Sequence, residues 1–148
     1  MKKIIGIAAL LFAISSATFA QEKGEGSEKI SVPSVVMEAN MQKYPESKKY
    51  HVTWEKENGN YEANWGGKDG EANSVQYTPA GVFIEIVRAI SVSELPVNIT
   101  TYVKQHYSNA KINEAGKVTD AAGKTSYEVE IQGKDVLFDA NGNFIKAE

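Results

Sequence analysis

No cysteine occurs anywhere in the chain. That excludes disulfides, thiolate nucleophiles, cysteine-held metals and lipid attachment through an N-terminal cysteine. Histidine is almost as scarce, with His51 and His106 the two present. An imidazole relay or a histidine-rich metal site has little to draw on. Basic charge is also in short supply: 16 Lys and Arg stand against 19 Asp and Glu, a formal charge of −3. Phosphate neutralisation needs clustered Lys and Arg, so nucleic acid is a poor partner for this surface. No G-x-S-x-G turn is present, and no nucleophile is paired with a base by any familiar spacing. After the first twenty residues no apolar run is long enough for a membrane helix.

What is present begins with Lys2 and Lys3, the apolar run Ile4 to Ile14, and "SSATFA" ending in a small residue. This is the pattern of a secretory signal peptide cleaved after Ala20. The expected organisation is a signal segment over 1–20, a polar, glycine-rich leader over 21–31, and a domain over 32–148. Losing Lys2 and Lys3 leaves the exported chain two charges more negative. The expected location is periplasmic or secreted.

The domain repeats itself. "VQYTPAGVFIE", Val75 to Glu85, aligns with "VLFDANGNFIK", Val136 to Lys146, so that Tyr77 meets Phe138, Gly81 meets Gly142 and Phe83 meets Phe144. Upstream, "VPSVVMEANMQKYP" aligns with "LPVNITTYVKQHYS", placing Pro33 on Pro96 and Tyr44 on Tyr107. Leu95, Ile99, Tyr102 and Val103 fall at helical spacing. Proline belongs in the first turn of a helix, where a missing N–H is harmless. Pro45 ends the first helix at Tyr44. Helices are thus expected over about 33–44 and 96–107.

Strands are expected in "YHVTWEKE", "NYEANW", "NSVQYT" and "VFIEIVRAI", then at about 110–119, 125–132, 134–139 and 143–147. Asn58-Gly59 marks a two-residue hairpin. Gly81 and Gly142 share one hairpin position, where a positive φ is the expected requirement. Each unit, 32–92 and 93–148, therefore reads as a helix followed by a four-stranded antiparallel meander. Tyr61, Ala63 and Trp65 share one strand face, as do Tyr127, Val129 and Ile131. These should pack on the helices, leaving Glu62, Glu128 and Glu130 on the other face, in solvent.

The Pro-started helix ending in Tyr, the "YE" strand, the Gly-turn "FI" hairpin and the linker "SVSELP" resemble the exported PepSY-like proteins, a family described as similar to β-lactamase inhibitory protein. The resemblance covers about Val32 to Glu148. It implies an α+β fold in which both units join into one curved antiparallel sheet with both helices on one side. It also implies a protein- or peptide-binding role, inhibitory toward an exported enzyme, on the helix-free face. That inhibitor carries disulfides, which this chain cannot form.

Other features read blandly. "DANGN", Asp139 to Asn143, has its glycine fourth where a calcium loop needs it sixth, and reads as a hairpin turn. "NIT" at Asn98 reads as a chance sequon. The expected contact surface is the helix-free face, with Gln76, Phe83, Glu128 and Leu137 on it. No catalytic residue, metal or cofactor is assigned. The alternative is a small-ligand or metal-ion carrier using the acidic sheet face.

Overall fold

The computed structural model describes residues 30–108 and 110–147. The signal segment and nearly all of the leader lie outside the described residues. Two helices and eight strands follow one another: α1 (Ser34–Lys43), β1 (Thr53–Glu57), β2 (Asn60–Trp65), β3 (Asn73–Tyr77), β4 (Phe83–Ala89), α2 (Val97–His106), β5 (Ile112–Asp120), β6 (Thr125–Ile131), β7 (Lys134–Asp139) and β8 (Phe144–Ala147). The strands form one antiparallel sheet in sequence order. The fold is α+β.

Both helices start directly after a proline in extended backbone, Pro33 at ψ 140° and Pro96 at ψ 136°. Both end at a tyrosine pulled off helical geometry, Tyr44 at φ −129° and Tyr107 at φ −124°. Pro45 accounts for the first stop and opens a short 3-10 turn, Pro45–Lys49. The first strand begins three residues later than its sequence suggests. Tyr50 closes the 3-10 turn, its N–H donating to the Ser47 carbonyl. Pairing with β2 begins where Thr53 meets Asn64, and Gly66, just past the end of β2, turns the chain away at φ 79°.

Two apolar clusters form the core. In one, Val36 and Tyr44 pack with Tyr61, Ala63, Trp65, Val75, Tyr77 and Ile86. In the other, Leu95, Ile99 and Val103 pack with Ala115, Val129, Ile131, Val136 and Phe138. Complete burial of a side chain such as Ile99 or Trp65 is worth about 1.5–3 kcal/mol. One polar link crosses the first cluster: Tyr77 Oη donates to Asn40 Oδ1 at 3.1 Å, and Asn40 Nδ2 donates to Ser47 Oγ at 3.3 Å.

The repeated hairpins share their geometry. Gly81 (φ 78°) donates its N–H to Thr78, and Gly142 (φ 80°) to Asp139, both at 2.9 Å. Each glycine lies under the first turn of a helix. A Cβ at Gly81 would stand 2.8 Å from the Val35 carbonyl oxygen, and one at Gly142 would stand 3.0 Å from Asn98 Cβ. Each hairpin also carries the same bulge. Gln76 pairs Glu85 but Tyr77 pairs Phe83, leaving Ile84 as the extra residue. Leu137 pairs Lys146 but Phe138 pairs Phe144, leaving Ile145 extra.

The bulge overturns one expectation. An extra residue reverses strand alternation locally. Phe83 therefore does not join Gln76 on the polar face. It packs against the first cluster, its ring 6.3 Å from Tyr44 and 6.1 Å from Tyr77, with Lys43 Nζ 4.2 Å from its centre.

A candidate binding face rich in carboxylates

Strand alternation assigns the remaining side chains to the face opposite the apolar clusters. Register then aligns them in rows. Glu55, Glu62, Gln76, Glu85 and Asp120 stand in one unbroken row across β1 to β5. Asn64, Ser74, Val87 and Val118 form the next. Gly116, Glu128, Leu137 and Lys146 form a third, and Glu114, Glu130 and Asp135 a fourth. Lys146 is the one cation among these paired positions.

A second expectation is corrected here. Glu62, Glu128 and Glu130 are on the polar face but are not in solvent; they are 6, 0 and 6 % exposed. The two-residue period gave their side correctly. It carries no information on how closely neighbouring side chains cover them.

The buried polar groups are tied to one another where they can be. Gln76 Nε2 donates to Glu62 Oε2 at 3.4 Å, Ser74 Oγ donates to Asn64 Oδ1, and Asn113 Nδ2 donates to Glu130 Oε1 at 3.1 Å. Glu85 is tied less completely. It is 7 % exposed, and no donor among the described residues reaches its Oε1. Burial pushes its carboxyl up to about 7, helped by Glu62 and Asp120 and opposed by Lys146. Burial also raises Glu62, against the hydrogen bonds from Gln76 and Asn64. Glu114 is raised by burial and then by Glu130, Glu71 and Asp135.

A cleft of about 300 Å³ opens beside the row. Glu62, Asn64 and Ser74 form its floor, the β2–β3 loop from Gly67 to Ala72 one wall, and Ile90 with Asn113 to Ala115 the other. Its acids are Glu62, Asp69, Glu71 and Glu114, facing Lys68. Among the described residues no group of three His, Asp or Glu could hold a metal ion.

Of the four residues expected to form the contact surface, Gln76, Glu128 and Leu137 lie on the polar face and Phe83 does not. Glu128 is completely covered, and Gln76 and Leu137 are 5 and 7 % exposed. Sequence reasoning missed Glu85, Asp120, Asn64, Ser74 and Glu114. Glu85 stands opposite Gln76 only because of the bulge, which no residue type announces. His51 is exposed and lines a second, open cleft with Glu55, Asp69 and Glu71, at the edge of this face. His106 stacks on Tyr102 at 4.0 Å with Nδ1 2.9 Å from the Tyr102 carbonyl. Asp139 uses its carboxylate within its turn, accepting from the N–H groups of Asn141 and Asn143 and from Asn143 Nδ2.

Several solved structures of Bacteroides proteins share this fold. A "putative periplasmic" protein of Bacteroides eggerthii is 15 % identical with a TM-score of 0.66, covering 80 % of this chain and 88 % of its own. A DUF2874 family protein of Bacteroides ovatus is 16 % identical with a TM-score of 0.64 and the same coverage. A BLIP-like protein of Bacteroides fragilis is 19 % identical with a TM-score of 0.57, covering 80 % of this chain and 86 % of its own. At such identities the likeness is one of fold. Comparison with curated proteins finds no match. Residues 64–146 match the family described as "Putative beta-lactamase-inhibitor-like, PepSY-like". The chain belongs to this PepSY-like family.

Proposed function

We propose that this chain is a non-catalytic binding protein of the periplasm. It holds a protein or peptide on the polar face of its sheet. An exported enzyme held in check is the partner that the family description suggests. The molecule is taken as two tandem units, 32–92 and 93–148, merged into one curved sheet with α1 and α2 on the same side. The twin bulges and the twin glycine contacts support the tandem reading. The common side is supported by register: Ile86 of the first cluster pairs Thr119, and alternation leads from there to Ala115 of the second. The basic, apolar N-terminus and the periplasmic description of a structural neighbour favour export. No helix among the described residues is long and apolar enough to cross a membrane.

One observation carries the reading. The polar face concentrates carboxylates, several of them withdrawn from water, with one lysine among its paired positions. Burying carboxylates costs stability unless donors satisfy them. A face that bears this cost and leaves a cleft beside it is suited to a partner that supplies the donors. A non-catalytic role is favoured by the missing thiol and by His106 being held on its own helix through the Tyr102 carbonyl. The test is capture from a periplasmic extract by the exported chain and by its Gln76→Arg variant. A partner held by the wild type and lost by an equally stable variant supports the proposal. A partner held equally by both contradicts it.

A further inference from the structure

The same triplet, Asn-Gly-Asn, stands at 58–60 and at 141–143. Asn-Gly is the pair most prone to react with itself. The backbone nitrogen after the asparagine attacks the side-chain Cγ, and a glycine there has no Cβ to hinder the approach. Both triplets lie at hairpin turns, β1–β2 and β7–β8. Their local sequence is the same, so a difference in reactivity is set by what surrounds each turn.

Asn58 and Gly59 are the two turn residues between Glu57 and its strand partner Asn60. They sit at φ 49° and 83°, as this kind of turn requires. Both are exposed, and a Cβ at Gly59 would meet nothing within 4 Å. No hydrogen bond from the Gly59 N–H is found among the described residues. The turn hangs on an edge strand, since β1 pairs with β2 alone, and edge segments open at little cost. Asn141-Gly142 is held instead. The Asn141 N–H donates to Asp139 Oδ1, and its carbonyl accepts from Asn98 Nδ2 on α2, both at 2.9 Å. The Gly142 N–H, which would be the nucleophile, donates to the Asp139 carbonyl at 2.9 Å. Gly142 is buried against Pro96, Asn98 and Ile99. Turning its nitrogen toward Asn141 Cγ would break these bonds and lift the hairpin off α2.

We infer that Asn58 is a site of self-modification to aspartate and isoaspartate, and that α2 protects Asn141 from the same reaction. The Gly59 nitrogen bonds to Asn58 Cγ and passes its proton to water. The Cγ–Nδ2 bond breaks, and the amide nitrogen leaves as ammonia. A cyclic succinimide remains. Water then opens it: breaking the bond from Cγ to the Gly59 nitrogen gives aspartate, and breaking the bond from the Asn58 carbonyl carbon gives isoaspartate. In sum water is consumed and ammonia released, with nothing oxidised or reduced. Either product adds a negative charge next to Glu57. Isoaspartate also inserts a methylene into the main chain of a turn whose length sets the strand register. That loosens β1, which carries Glu55 at the outer end of the carboxylate row.

The test is timed incubation of the exported chain in mildly alkaline buffer, folded and in concentrated urea. Peptide mapping by mass spectrometry follows both asparagines, and a carboxyl methyltransferase labels isoaspartate. In the folded chain Asn58 should convert about tenfold or more faster than Asn141, which must wait for local opening. In urea the two rates should converge. Converted protein should show faster backbone hydrogen exchange in β1. Asn58→Gly, which accepts the positive φ and has no amide to lose, should show no such change after the same incubation. Equal conversion of Asn58 and Asn141 in the folded chain would overturn the inference. So would conversion of both in urea with neither in the folded chain, or unchanged β1 exchange in the converted protein.

Discussion

The Gly81 backbone lies so close under α1 that a Cβ there would stand 2.8 Å from the Val35 carbonyl oxygen. Gly142 lies in the same way under Asn98 of α2. Both also sit at positive φ, where a side chain is strained whatever the space. Gly123 has the same φ of 80° but open space around it. Its replacement by Ala should cost about 1 kcal/mol, from backbone strain alone. Gly81→Ala and Gly142→Ala should cost about 2–3 kcal/mol or more, because the helix must also shift. Chemical denaturation of the three variants checks the ranking.

Phe83→Ala should behave as a core mutation. Its ring contacts Tyr44 and Tyr77, so truncation should cost about 2–3 kcal/mol. Partner capture, corrected for the fraction folded, should stay as it was. A stable Phe83→Ala protein that loses its partner would contradict this placement.

The helices and hairpins were legible in the residues themselves. Pro33, Pro96 and Pro45 bound the helices, Asn58-Gly59 closes the first hairpin, and alternating apolar positions mark the strands to within about three residues. Phe83 was not legible. Counting by twos through "VFIEIV" puts it beside Val87, and only the unannounced extra residue Ile84 sends it to the core. The candidate site was half legible. Alternation put Glu62 and Glu128 on the correct face, but their burial depends on what neighbouring strands bring around them, which is a property of the assembled sheet.

Glu85 makes stability depend on pH with a definite sign. Its carboxyl lies near 7 in the folded chain against an ordinary 4.5. The folded state therefore holds a proton that the unfolded state has released between those values. Stability is fullest below about pH 4.5 and falls as pH rises to about 7, by up to about 3 kcal/mol. The raised Glu62 acts in the same direction. Glu85→Gln should remove most of the slope, as read by urea denaturation across this range. An unchanged slope would show that Glu85 is not the source.

The Asn40–Tyr77 bond should show as a coupling. Removing Asn40 alone, as Asn40→Ala, strands the Tyr77 hydroxyl in the first cluster and should cost about 1–3 kcal/mol. In Tyr77→Phe the same change should cost less, by about 1 kcal/mol. Denaturation of the two single variants and the double variant gives this number. Additive losses would mean that the 3.1 Å contact contributes nothing.

The most direct measurement of the central claim is backbone hydrogen exchange of the exported chain, free and bound to whatever partner it captures. Binding on the polar face predicts new protection in the β2–β3 loop, Gly66 to Ala72, and along β2 to β5, with α1 and α2 unchanged. It also predicts that this protection disappears with Gln76→Arg. Protection confined to α1, α2 or the hairpin turns at Gly81 and Gly142 would contradict the account and move the binding surface to the other side of the sheet.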